Sequence, residues 1–147
     1  MRNKRYIWIF LGLLCNLIIF GHSMMNASTS STESNFIVDF LSKVLGVINI
    51  HIDKGTLSFL VRKTAHFSIF AISATIWFQM YKTLKMKPFT YFSIIHGLIT
   101  AITDETIQGF SVGRSKELRD VIIDVYGVFV GCLAILLIDY RRGEDTH

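Results

Sequence analysis

The stretch Val121–Ile138, VIIDVYGVFVGCLAILLI, decides the fold, because one carboxylate, Asp124, is its only charge. At 1.5 Å per residue an α-helix over this stretch is about 27 Å long, close to the roughly 30 Å hydrocarbon core of a bilayer. Gly127 and Gly131 form a GxxxG pair, which lets a second helix approach closely. Asp120, Asp124 and Gly127 follow at i, i+4 and i+7 and share one helix face. The carboxylates are therefore expected to face protein and not lipid.

Working outward, three more apolar runs emerge. Tyr6–Met25 follows a basic MRNKR start and suffices for one crossing. GHSMMNAS offers no small-x-small cleavage site after Phe20, which favours a retained anchor over a signal peptide. Leu57–Tyr81 and Pro88–Thr103 complete the set, with Pro88 suited to a helix start. The chain has 147 residues, is 51% hydrophobic and only 18% charged, with one proline. That composition argues against a soluble domain and for one small membrane bundle. The net charge of +4 does not imply nucleic acid, because much of it flanks the apolar runs: Arg2, Lys4 and Arg5; Lys82, Lys85 and Lys87; Arg141 and Arg142. These clusters place both termini on the cytoplasmic side. Four crossings then put residues 26–58 and 109–118 outside.

Asn26–Ser34 is rich in Ser and Thr and reads as a loop. Asn35–Ile50 reads as an amphipathic helix. Phe36, Ile37, Phe40, Leu41, Val44, Leu45 and Ile48 form one stripe, with Asp39, Ser42, Lys43, Gly46 and Asn49 opposite. Such a helix lies on the outer membrane surface or lids the bundle; the alternative is ordinary packing on the other helices. The expected fold is all-α: a small polytopic membrane protein in one domain, 1–147, with four transmembrane helices and an extracytoplasmic amphipathic helix.

In this topology the unusual polar residues collect at the outer ends of three spans. Arg62, Lys63 and His66 open the second; Asp104, Glu105 and Gln108 close the third; Asp120 and Asp124 open the fourth. Each set lies at i,i+3 or i,i+4 spacing and shares a helix face. A charge in hydrocarbon costs about 2.5–3.5 kcal/mol on insertion scales, so these groups are expected to pair, face the interior or serve a function. Arg62 or Lys63 should pair with one of the four carboxylates.

Two roles can coexist here: an interhelical ion-pair network, and a binding site for a polar head group or substrate. Arg114 stands in a Gly113-Arg114-Ser115 loop, where a guanidinium and backbone donors suit a phosphate or carboxylate. A metal set drawn from Asp104, Glu105, Asp120 and Asp124 is opposed by Arg62 and Lys63, so neither metal nor cofactor is expected. His96, near mid-depth, is expected to be hydrogen-bonded within the bundle. Phe67, Phe70, Trp77 and Phe78 read as packing or interfacial aromatics. Cys15 and Cys132, without CxxC or metal spacing, read as packing residues.

Taken together, Arg62-Lys63-Thr64-Ala65-His66-Phe67, Asp104-Glu105-Thr106-Ile107-Gln108, and Gly113-Arg114-Ser115 followed by Asp120, Asp124 and Gly127 resemble the RKxAHF, DE-x-x-Q and GRS…D…D/N…G elements of the VanZ-like family. The likeness covers roughly residues 30–138, in matching order and spacing. One departure is Ile107, where many relatives carry His; proton transfer from that position is unavailable here. The family is similar to the accessory protein of glycopeptide-resistance clusters linked to teicoplanin resistance, and the resemblance supplies no biochemical activity.

Three functions fit. The first is a non-enzymatic membrane protein that binds an envelope lipid head group or glycopeptide at the outer face through Arg62, Lys63, His66, Asp104, Glu105, Gln108, Arg114, Asp120 and Asp124. The second is an intramembrane enzyme on an anionic or peptidoglycan-related lipid, with His66 or Glu105 as acid/base. Against it, the chain has no nucleophile elbow, zinc motif, HExxH or PSGH-like element. The third is a structural scaffold.

Overall fold

The computed structural model describes residues 2–143, less the side chains of Arg2, Asn3, Ser31 and Glu33. Among the described residues the chain forms five α-helices and no strand: α1 Arg2–Ser23, α2 Ala27–Val47, α3 Lys54–Thr83, α4 Phe89–Gln108 and α5 Leu118–Arg141. Arg2, part of the amino-terminal basic cluster, thus lies outside the described side chains. Two segments, Lys4–Ser23 and Leu118–Arg141, are long and apolar enough to cross a membrane.

α3 is the central helix, packed against each of the other four. Its closest neighbour is α5, and the two glycines foreseen in the sequence explain why. A Cβ at Gly127 would lie 2.3 Å from the Phe67 carbonyl oxygen, and one at Gly131 would lie 2.1 Å from that of Ala71. Only hydrogen fits at these positions, so the backbones nearly touch. Phe70, Ala74, Ala101, Val128 and Cys132 fill the space beside this crossing, joined by Cys15 and Ile19 of α1. The two cysteines are free and buried, as packing residues should be.

One expectation is overturned. Residues 27–34 are not a loop; they form the first two turns of α2. Asn26 has the extended backbone of an N-cap residue, and the Thr32 and Ser34 hydroxyls donate to the carbonyls of Ser28 and Ser30. Hydroxyls satisfied within their own helix no longer favour a loop. Ser30, Ser34 and Val38, at i, i+4 and i+8, are buried, which anchors this part of the helix. The apolar stripe behaves differently from an ordinary packed face: Phe36, Phe40, Val44 and Ile48 are all exposed.

At the opposite end of the bundle Lys82 donates to Asp139 at 2.8 Å, although Asp139 is only 1% exposed. The pair ties the end of α3 to the end of α5. Charge sets at both ends of one helix pair fix their relative slide along the glycine seam.

Candidate functional site

The near end gathers the residues singled out in the sequence, plus a contribution from α1. The reason is geometric. α3 and α5 start at this end, while α1 and α4 finish here, so their terminal turns surround one region. Lys63 forms an ion pair with Asp120 across the α3–α5 seam, one of the pairings expected from the sequence. One turn deeper, His66 Nδ1 lies 3.4 Å from Asp124 Oδ1, without hydrogen-bond geometry.

Asp104 is fully buried. The Ser23 hydroxyl of α1 contacts one of its oxygens, and Gln108 Nε2 donates to the other at 2.8 Å. Gln108 is thus positioned by helical i,i+4 spacing, as read from the sequence. Glu105 turns elsewhere: its Oε1 accepts the Glu117 backbone N–H at 2.6 Å and so holds the start of α5.

The α4–α5 loop is laced to α1 and α2. Ser111 Oγ donates to the Ser23 carbonyl at 2.7 Å, and the Ala27 N–H donates to the Val112 carbonyl at 3.1 Å. Gly113 takes φ +78°, a left-handed conformation that favours glycine and reverses the chain before Arg114. The Arg114 guanidinium then reaches the His22 carbonyl at 3.3 Å.

These elements enclose a cleft of about 330 Å³. Arg62, Lys63, His66, Gln108, Arg114 and Asp120 line it; Asp104, Glu105 and Asp124 do not, and lie buried behind its wall. Four cationic side chains, Arg62, Lys63, Arg114 and Arg119, face two carboxylates, Glu117 and Asp120. Lys63 is engaged by Asp120, and Arg119 by Glu117 at 2.7 Å. Among the described residues no carboxylate pairs with Arg62 or Arg114, so the cleft carries excess positive charge. A largely apolar pocket of about 230 Å³, lined by Ile18, Ile19, Ile69, Phe70 and one carboxylate, Asp104, adjoins the cleft and shares His22, Ala65 and His66 with it.

Sequence reasoning missed His22 and Ser23. A signal existed: two polar residues close a largely apolar helix, at the same end as the other polar sets. It also missed the Glu117 amide as the partner of Glu105, which only the folded loop reveals. His96 meets its expectation, lying 3.3 Å from both Asn16 Nδ2 and Tyr81 Oη and stacking on Trp77. Phe67, Phe70, Trp77 and Phe78 do not line the polar cleft.

A family model described as VanZ/LLP1 matches residues 7–139, nearly the whole chain. No curated protein and no solved structure matches it.

Proposed function

The chain belongs to the VanZ/LLP1 family, and from that premise we propose that it is a multi-pass membrane protein whose outer-face cleft holds the anionic head group of an envelope lipid. The observation that carries this reading is the junction of two unlike cavities. The cationic cleft and the apolar pocket share His22, Ala65 and His66. A ligand that fills both has an anionic head and an apolar tail, which favours a lipid over a soluble glycopeptide.

Four of the helices cross the membrane in this proposal: α1, α3, α4 and α5. α3 and α4 carry more polar side chains than the other two. The hydroxyls of Thr75, Ser93, Thr100, Thr103 and Thr106 donate to carbonyls four residues earlier, which lowers the cost of placing them in lipid. The basic clusters put both termini in the cytoplasm, and α2 rests its exposed apolar face in the outer interface. Teicoplanin resistance is the phenotype the family link implies for such a lipid-directed protein.

The enzymatic reading is weakened at one candidate. Glu105 is buried, spends Oε1 on the Glu117 amide and does not line the cleft, so it is poorly placed to exchange protons with a ligand. The test is Arg114→Ala in a teicoplanin-challenged host, with membrane abundance measured alongside. The lipid-site reading expects lost protection at normal abundance. Full protection from a well-folded variant would leave the structural network as the better account. Turnover of an isoprenoid phosphate by the purified protein would instead establish the enzyme.

A further inference from the structure

We propose that His66, Asp104 and Asp124 form a binding site for a divalent transition-metal ion of the Zn²⁺ or Mn²⁺ type. One ligand atom from each residue lies within 4.8 Å of the other two. The three side chains come from α3, α4 and α5, so the site is made by the bundle and not by one helix. His66 and Asp124 are already 3.4 Å apart, about the edge of a tetrahedron with metal–ligand bonds of roughly 2.1 Å. Asp104 is steered toward them, because Ser23 and Gln108 hold its two oxygens. Such outer partners orient metal-binding carboxylates.

The independent sign of a ligand is Asp124. It is 0% exposed, yet among the described residues neither carboxylate oxygen has a hydrogen-bond partner, and nor has His66 Nδ1 beside it. Buried carboxylate oxygens left bare are costly, and native structures seldom keep them so. The simpler alternative, an ion pair of His66 with Asp124, engages Oδ1 and leaves Oδ2 without a partner among the described residues.

The donor set selects the ion. Ca²⁺ and Mg²⁺ prefer all-oxygen shells, whereas one imidazole nitrogen with two carboxylates suits Zn²⁺ or Mn²⁺. Of the two cations that argued against a metal from the sequence, Lys63 is engaged by Asp120, and Arg62 lines the cleft. Of the four carboxylates weighed as ligands from the sequence, only Asp104 and Asp124 bring an oxygen into this cluster with His66. Three protein ligands leave a fourth position for water or for an oxygen of a molecule in the cleft, whose wall includes His66. The site stands independently of the lipid proposal, since the metal can bind with the cleft vacant.

The experiment uses tag-free, full-length protein in detergent, stripped with chelator and titrated with Zn²⁺ and, separately, Mn²⁺. One ion per chain should bind. Asp124→Asn, nearly isosteric and without the buried charge, should weaken binding by about 100-fold or more. Asp39→Asn, at an exposed position, should keep wild-type affinity. X-ray absorption of the zinc-loaded wild type gives a readout independent of any variant. It should show one imidazole and oxygens at about 2.0–2.1 Å, with no sulfur. Wild-type protein that binds neither ion stoichiometrically, an Asp124→Asn protein that binds as tightly as wild type, or a sulfur-containing shell would each overturn the assignment.

Discussion

Gly127 of α5 faces the carbonyl oxygen of Phe67 so closely that an added Cβ would stand 2.3 Å from it. Everything at the polar end depends on this approach, because it brings Asp120 and Asp124 against Lys63 and His66. Alanine has the higher helix propensity by about 1 kcal/mol. A backbone oxygen cannot rotate away as a side chain would, so overpacking wins, at about 1–3 kcal/mol. Gly127→Ala should therefore lower the melting temperature in detergent. Gly21→Ala, with nothing within 4 Å, should leave it equal or higher. The opposite ranking would refute the close seam.

Lys63 and Asp120 should behave as a coupled pair. Each side chain is less than one-fifth exposed, so removing either partner should cost about 1–3 kcal/mol, less than for a wholly buried pair. Lys63→Asp combined with Asp120→Lys should recover most of that loss in thermal melts. Additive destabilisation by the two changes would show that the pair does not couple α3 to α5.

Acid should weaken the start of α3. Hydrogen bonds from Thr56, from its hydroxyl and then its amide, hold the Asp53 carboxyl below its ordinary value of 3.8. A folded-state value depressed in this way gives stability that is present above about pH 4–5 and lost as pH falls through the lower folded value. Asp53→Asn keeps a capping side chain but cannot titrate. Melting curves from pH 7 to pH 3 should converge for the two proteins at the acid end, with wild type losing more. Parallel curves would contradict the cap assignment.

α2 should sit shallowly in lipid. Phe36 is 82% exposed, and Phe40 and Val44 continue the same apolar face. Phe40→Trp in liposomes should be quenched by bromines placed high on the acyl chains and not by those near the bilayer centre. Quenching only by a water-soluble agent would put the helix off the membrane.

Much of this architecture was legible because long apolar helices advertise themselves. Apolar runs, glycine spacing and basic flanks placed α3, α4 and α5 within a few residues. The shared faces of Lys63 with His66 and of Asp120 with Asp124 followed from i,i+3 and i,i+4 geometry. What failed has a physical reason. Residues 27–34 look like a loop by composition, but burial of Ser30 and Ser34 overrides a weak propensity. Ser23 and the Glu117 amide were hidden because their partners, Asp104 and Glu105, lie far away in sequence or are met by backbone. The distinction between cleft wall and buried layer, Arg114 against Asp104, needs three dimensions.

The central claim is that the cationic cleft captures an anionic lipid head, and equilibrium binding tests it most directly. Purified protein is titrated with a short-chain anionic phospholipid and with a zwitterionic one of the same chains, using wild type and the Arg62→Ala, Arg114→Ala double variant. Loss of two charge-assisted contacts, each about 1.5–3 kcal/mol, should weaken the anionic lipid at least tenfold, and by more than the zwitterionic one, which shares the phosphate but carries no net charge. Equal affinity of wild type and a well-folded double variant for the anionic lipid would contradict the account.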